Sequence, residues 1–271
     1  MNYRHAFHAG NFADCVKHAV LIWLLTALHR KPAPFFVLDT HAGTGHYDLT
    51  DGPAERTGEW HHGIACLLEN PPPPLIPYVD LVKTLGLYPG SPVIIRALLR
   101  EQDRLAACEL HPEDAAALRR RFARDPQVAV HHRDGWDSLT ALLPPAQKRG
   151  LVLIDPPYEA PDEHTTLLEG LRASRARFPT AIHVGWYPIK HRTPVRDLHD
   201  AIRASGPRDA IAAELLLRLP TDPTRLNGCG LIIINPPFRA ESELDLLLAA
   251  MSKRLSNDPD VTSHILRLTD E

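Results

Sequence analysis

At 271 residues, with 44% hydrophobic and 23% charged content, the chain is long enough for one large globular domain or two small ones with a substantial core, which excludes a disordered or fibrous protein. A net charge of −3 excludes a globally basic nucleic-acid binder, so a nucleic-acid substrate would have to meet a local basic face. The four cysteines (Cys15, Cys66, Cys108, Cys229) lack C-x-x-C spacing and point to reduced thiols in a cytoplasmic protein rather than a disulfide framework.

In chain order, the first predicted element is a helix around "AVLIWLLTAL" at 19–28. That run is too short for a membrane span and has no cleavage site behind it, so it reads as a buried helix. Asn11 offers an N-cap, Asp14 stands three residues on, and Pro32 closes the segment. Strand-sized apolar runs follow at 34–39, 104–110, 127–132, 150–155 and 180–186, with helical stretches between them. That alternation predicts a parallel sheet covered on both faces. Two last runs, 209–220 and 228–237, are separated by the turn-rich "TDPTRLNG", which predicts an antiparallel hairpin at the sheet edge. The sum is a doubly wound, seven-stranded fold over 1–271.

Glu109, the next strand-ending acid, lies 64 residues after Gly45. The acid that follows a glycine loop in a dinucleotide fold comes after about 20. The excess, 46–90, contains "ERTGEWHHGIACLLE", a "PPPP" breaker and "LIPYVDLVKTL", and predicts an inserted helical subdomain of two short helices around a proline hinge. The crossover helix then starts at "SPVIIRALLR", with Ser91 as N-cap and Pro92 at the first helical position.

Ligands of such sheets sit outside the carboxyl ends of the parallel strands. Four successive ends supply Asp39 with "HAGTG", Glu109, Asp134 with Gly135, and Asp155 with "PPY". Gly43 and Gly45 permit close approach of the backbone to a ligand. Glu109 suits two ribose hydroxyls, and Asp134 with Gly135 suits an adenine edge. A nucleoside cofactor fits these positions, and a nicotinamide dinucleotide and S-adenosylmethionine are both compatible with them. Asp155-Pro156-Pro157-Tyr158 tips the balance to a methyl donor. An aromatic exocyclic amine is a poor nucleophile until a side-chain oxygen and a proline carbonyl hold its two N–H groups. Prolines stiffen that corner, and the tyrosine ring offers a face to the base. A second corner, Asn235-Pro236-Pro237-Phe238, repeats the pattern. If 231–235 is the return strand of a hairpin, its end emerges at the opposite rim, and Asn235 is structural.

"YRHAFHAGNFADCVKH" at 3–18, "LDTHAGTGHYDL", "AERTGEW", "YPGSP", "REQDRLAACELHP", "GLVLIDPPYE", "WYPI" and "INPPF" together resemble the RlmJ family. These are 23S ribosomal RNA adenine-N6 methyltransferases that use S-adenosylmethionine. The resemblance implies a Rossmann-like class I methyltransferase domain with a helical insertion. It implies a cofactor site of His18, His41, Ser91, Glu109, Asp134 and Gly135, and Asp155 as the acceptor beside the target amine. Segment 1–18 would contact substrate and cofactor, with Tyr3 as a substrate contact.

For RNA, Arg4, His5, His8 and Lys17 are candidate contacts near the amino terminus, and Lys190 with Arg192 forms a further basic cluster. None of the 16 histidines makes H-E-x-x-H or pairs with cysteines at zinc spacing, so no metal is expected. A monomer without membrane attachment completes the expectation. The rival readings are a DNA adenine methyltransferase, which shares the corner chemistry, a protein-glutamine methyltransferase, for which N-P-P-Y is usual, and a non-catalytic nucleic-acid-binding module, which has no need of four aligned strand-end acids.

Overall fold

The computed structural model describes residues 4–159 and 162–270. After a short 3-10 turn, helix α1 (Phe12–His29) opens the fold, capped as its sequence predicts: the Asn11 side chain accepts from the Asp14 N–H at 2.9 Å. It extends well beyond the expected ten-residue run, and by length and composition it is apolar enough to cross a membrane. It is buried nearly all round, and that burial accounts for its composition.

Strand β1 (Phe36–Asp39) leads into the glycine loop. Then come β2 (His46–Tyr47), α2 (Gly52–Thr57), α3 (Ile64–Leu68), α4 (Ile76–Leu85) and β3 (Tyr88–Pro89). β2 and β3 pair antiparallel, and the Gly90 N–H donates to the Gly45 carbonyl at 2.8 Å, so segment 46–90 is drawn together at its base. It holds more than two helices, with 3-10 turns at Glu59–His62 and Pro73–Leu75. Ile64, Leu67, Leu75, Tyr78 and Val82 pack into the same core as α1.

The remaining elements alternate: α5 (Ser91–Ala97), β4 (Arg104–Glu109), α6 (Pro112–Arg121), β5 (Val128–His132), α7 (Gly135–Ala141), β6 (Gly150–Ile154), α8 (Glu163–Arg177), β7 (Ile182–Ile189) and α9 (Arg192–Ala204). The chain closes with β8 (Ala210–Leu216), β9 (Gly228–Ile234), α10 (Ala240–Leu255) and β10 (Thr262–Thr269). Ser91 is the first residue of α5 rather than its N-cap, and its hydroxyl makes no cap bond. It donates instead to Asp39 Oδ2 at 2.7 Å.

The sheet runs β10-β8-β9-β7-β6-β1-β4-β5. β5, β4, β1, β6 and β7 are parallel neighbours, while β9 is antiparallel to both β7 and β8. This is the expected doubly wound arrangement with one more strand. β10 pairs antiparallel with β8, so the β8–β9 hairpin lies inside the sheet and not at its edge. The period-2 alternation of side chains divides the core: Val37, Leu105, Leu151 and Leu153 face one helical layer, and Leu38, Ala106, Val152 and Ile154 the other. With both faces buried, these strands read as continuous apolar runs.

Candidate active site

The carboxyl ends of β1, β4, β5, β6 and β7, with α1 across them, enclose a cavity of about 700 Å³. His18, His41, Gly43, Ser91, Glu109, Asp134, Gly135 and the Asp155-Pro156-Pro157-Tyr158 corner all line it, and so do His5 and His8. Gly45 does not. It sits at φ +87°, packed against Leu118, Arg121 and Val93, and serves the turn and not the cavity wall. Arg4 also stands outside the lining and pairs with Glu113 on α6. Tyr3 lies outside the described residues.

Each strand end presents a carboxylate in a different state. The Glu109 carboxylate accepts the Gly43 N–H at 2.8 Å and the His111 N–H at 2.7 Å, one on each oxygen. Burial raises its pKa, and those two backbone donors oppose the rise. Asp134 caps α7, with Oδ1 accepting the Trp136 N–H at 2.7 Å. Gly135, next to it, has no room for a side chain: a Cβ would stand 2.3 Å from the Thr40 carbonyl oxygen and 2.9 Å from the His41 ring. Gly43, at φ +62°, could accept a Cβ only by displacing the Tyr47 hydroxyl, 2.2 Å away. Asp39 is fully buried beneath the loop, and its burial, opposed by the Ser91 hydrogen bond, lifts the carboxyl to about 7.

Two neutral histidines flank these acids. Burial lowers His18 to about 3 and His41 to about 4. His18 Nδ1 shares a hydrogen bond with the Tyr88 hydroxyl at 3.0 Å, and Tyr88 in turn with the Tyr78 hydroxyl at 3.1 Å. His41 Nδ1 lies 2.7 Å from Thr40 Oγ1, whose own proton goes to the Leu153 carbonyl at 3.0 Å. With that hydroxyl proton engaged, His41 must donate from Nδ1, which leaves Nε2 as an acceptor. A ribose diol at Glu109, an adenine edge at Asp134 and Gly135, and an amino-acid moiety near the histidines are groups this lining could hold.

The decisive feature is one the sequence does not announce. Lys17, on α1 with 6% of its side chain exposed, donates to Asp155 Oδ2 at 2.5 Å and lies 2.9 Å from Asp14 Oδ1. Asp14 Oδ2 also accepts the Gly10 N–H at 3.0 Å and lies 2.9 Å from His5 Nε2. Burial would favour a neutral amine, but the charges of Asp14 and Asp155 hold Lys17 well above its usual value. Burial likewise works to raise Asp14, and its interactions with His5 and the Lys17 ammonium hold it well below the carboxylate range. Lys17 is therefore not the surface RNA contact that its position near the amino terminus suggests. The available signal was a Lys three residues after an Asp inside a helix that is otherwise apolar all round. Arg192 is likewise engaged, reaching buried Glu214 at 2.5 Å.

Tyr158 adopts φ +54° and donates its hydroxyl proton to the Trp186 carbonyl at 2.9 Å, with its ring edge-on to Trp186 and His164. Trp186, from the "WYPI" segment, lines the cavity beside it. Asn235 is at the other rim. β9 pairs Ile234 with His183, near the start of β7, so the chain leaves β9 far from Asp155. There the Asn235 carboxamide donates to the carbonyls of Pro179 and Ala181 at 3.0 and 2.7 Å. Among the described residues, no three His, Cys, Asp or Glu side chains converge as a metal site requires.

Residues 32–265 match the family model "Ribosomal RNA large subunit methyltransferase D, RlmJ". The chain belongs to the RlmJ family. It is 40% identical over 263 residues to ribosomal RNA large subunit methyltransferase J of Escherichia coli (strain K12), covering 94% of each chain. The protein of that name from Haemophilus influenzae (strain ATCC 51907 / DSM 11121 / KW20 / Rd) is 38% identical over 264 residues, again with 94% of each chain covered. A crystal structure of a Legionella pneumophila protein superposes with a TM-score of 0.88 at 36% identity, over 96% of this chain and 98% of that one. Membership of the RlmJ family makes the protein an S-adenosylmethionine-dependent methyltransferase.

Proposed function

We propose that the protein methylates the exocyclic N6 of a specific adenosine in 23S ribosomal RNA, and that the Asp155 corner is where the amine is held. The observation that carries this reading is the state of Asp155: Lys17 occupies Oδ2 and leaves Oδ1 for a second donor inside the cavity. S-adenosylmethionine supplies an electrophilic methyl group. Glu109 would take its ribose hydroxyls, Asp134 its adenine amine, and the neutral His18 and His41 the polar groups of its methionine end. Gly135 lets the start of α7 press directly against the Thr40 carbonyl and the His41 ring, which would set Asp134 beside the cofactor's flat ring.

The target base must leave its stack to reach so recessed a corner. Asp155 Oδ1 and the Pro156 carbonyl would then accept the two N–H bonds of its amine. That pairing pulls the nitrogen lone pair out of conjugation with the ring and turns it towards the methyl group. Methylation would release the donor's sulfur as a neutral thioether, and the Asp155 carboxylate would receive the proton that the amine gives up. Pro156 and Pro157 stiffen the corner. The Tyr158 ring, fixed by its bond to the Trp186 carbonyl, offers the base an aromatic surface. Within residues 4–18, His5 and His8 line the cavity on the α1 side, and segment 46–90, read as an inserted helical subdomain, supplies Tyr88 to His18.

The test uses protein-free 23S RNA from cells lacking this gene, incubated with purified protein and S-adenosylmethionine, digested, and analysed by mass spectrometry. One new N6-methyladenosine on RNA, absent with DNA and with Asp155→Ala protein, is expected. Methylation of DNA instead would transfer the reading to a DNA adenine methyltransferase.

A further inference from the structure

The cavity is lopsided in charge. Asp14, Glu109, Asp134 and Asp155 are among the acids on the side built by α1 and the ends of β4 to β6, where Lys17 is held in two ion pairs, and Glu163 is a further acid beside Tyr158. The opposite wall, past Trp186 and Pro188, carries Lys190, Arg218 and Arg225. Among the described residues, none of these three has a carboxylate within ion-pair distance, in contrast to Arg192 nearby and to Arg30, Arg96 and Arg267 elsewhere. Arg218 donates to the Leu226 carbonyl at 3.3 Å, which fixes its direction without neutralising it.

The wall is built, not loosely attached. Asn227 is fully buried and donates from its carboxamide to the Lys190 carbonyl at 2.8 Å and the Asp222 carbonyl at 2.7 Å. Its backbone N–H donates to Ile189 at 3.0 Å, and its carbonyl accepts the Leu217 N–H at 2.9 Å. The β8–β9 loop is thereby clamped to the end of β7. Asp222, the nearby acid, accepts the Thr224 N–H at 3.0 Å and hydroxyl at 2.6 Å on Oδ1; the Arg225 charge helps to lower its pKa, but the two form no ion pair. Three cations outside any ion pair among the described residues thus line the cavity on a backbone that is held in place, with Arg218 itself directed by the Leu226 carbonyl. The chain's net charge of −3 cannot itself attract a polyanion, so attraction must come from such a local face.

We propose that Lys190, Arg218 and Arg225 form a phosphate-binding wall that seats the RNA backbone flanking the extruded adenosine. This rests on the reading of an RNA substrate given above. A base inserted at Asp155 carries its own phosphodiesters at the cavity mouth, and guanidinium groups match phosphate oxygens in pairs. The backbone phosphates fix register while the corner reads the base.

The experiment is equilibrium binding of a fluorescein-labelled 23S RNA fragment to the whole protein across a salt series. Wild type, Lys190→Ala, the double variant Arg218→Ala/Arg225→Ala, and Arg218→Lys/Arg225→Lys are compared, with S-adenosylmethionine affinity and melting temperature measured in parallel. The arginine-to-alanine pair should bind RNA about tenfold more weakly at moderate salt, and the slope of log affinity against log salt should become shallower by roughly 1.4, about 0.7 for each single-strand phosphate left without its cation. The lysine pair should keep most of the slope, and cofactor affinity should stay at the wild-type value in all variants. An unchanged slope in the alanine pair would overturn the proposal, as would a loss of cofactor affinity equal to the loss of RNA affinity. Binding requires no turnover, so a wild-type protein that binds RNA through this wall yet forms no N6-methyladenosine would fail the substrate reading and not the wall.

Discussion

The two proline corners are almost the same four residues at the ends of two buried strands, and they live in opposite electrostatic worlds. Asp155 ends a strand parallel to its neighbours, so it joins Asp39, Glu109 and Asp134 at the rim where the cavity opens. Asn235 ends β9, the strand that runs against both of its neighbours, and emerges at the other rim. Asp155 meets a lysine ammonium; Asn235 meets two backbone carbonyls left over from the start of β7. The same local motif therefore opens into a cavity in one case and forms a satisfied internal joint in the other. Strand direction, not residue type, makes the difference.

The sharpest way to break this contrast is Asp155→Ala. Methyl transfer is expected to fall by at least about 10³-fold, with S-adenosylmethionine affinity within about threefold of wild type, because on the proposed reading the variant removes an acceptor of the target amine and no cofactor partner. Turnover within tenfold of wild type, measured by methyl incorporation into RNA, would refute the corner. Lys17→Met comes next. It leaves Asp14 and Asp155 facing each other without their shared cation, and breaking such a buried cluster costs about 3–5 kcal/mol of stability. Transfer should drop by about 10²-fold or more, and chemical denaturation should show the stability loss. A variant as stable and active as wild type would leave Lys17 with no part in holding the corner.

Smaller effects separate the cofactor side from the corner. Tyr88→Phe deletes the hydrogen-bond partner of His18 Nδ1, so cofactor binding should weaken by about three- to tenfold while the apparent affinity for RNA holds. Calorimetric titration with S-adenosylmethionine reads the first and RNA saturation curves the second. Asp39 provides a pH test. Its folded pKa, about 7, is above the unfolded value, so the proton it holds stabilises the fold fully below about pH 4. That stability is lost progressively as pH rises to about 7. Neutral His18 and His41, lowered to about 3 and 4, act in the opposite sense and favour the fold as pH rises to about 6.5. Asp39→Asn should therefore gain stability relative to wild type steadily between pH 4 and 7 and hold that gain at pH 8. A difference in melting temperature that stays flat with pH would contradict the burial argument.

Much of this was legible in the chain because burial on both faces leaves a plain signature. β1, β4, β6, β7, β8 and β9 are apolar runs, and the turn-rich 221–228 segment betrays the antiparallel return. β10 was missed for the converse reason. As an edge strand it buries little besides Leu268, and "TSHILRLT" alternates too weakly to stand out. The acids at the strand ends could be read from their positions alone. What they touch could not: Lys17 and Asp155 meet across 138 positions, and Ser91 turns its hydroxyl to Asp39 instead of capping α5. Gly45 shared the loop with Gly43 in sequence, yet the turn directs one to the cavity and the other into packing. Pairings of polar groups are decided by where topology brings helices across strand ends, and local pattern does not contain that.

The smallest expected effect on activity is the most exacting for the comparison of corners. Asn235 holds φ +56° and donates two hydrogen bonds to carbonyls at the foot of β7. Asn235→Ala gives up both bonds and places a residue less tolerant of left-handed backbone at that turn, which together should cost about 1–3 kcal/mol. Methyl transfer at a temperature well below the midpoint should stay within about twofold of wild type, because β9 carries this residue away from the cavity. A stability loss with turnover intact would leave strand direction as the sole cause of the difference between two nearly identical sequences. A tenfold loss of turnover in folded protein would mean that the second corner reaches the reaction through β7, which carries Trp186, the residue whose carbonyl holds Tyr158. Asn235→Asp sharpens the distinction, since it keeps the shape, removes the donors, and sets a carboxylate against two carbonyl oxygens; it should be less stable than Asn235→Ala and equally active.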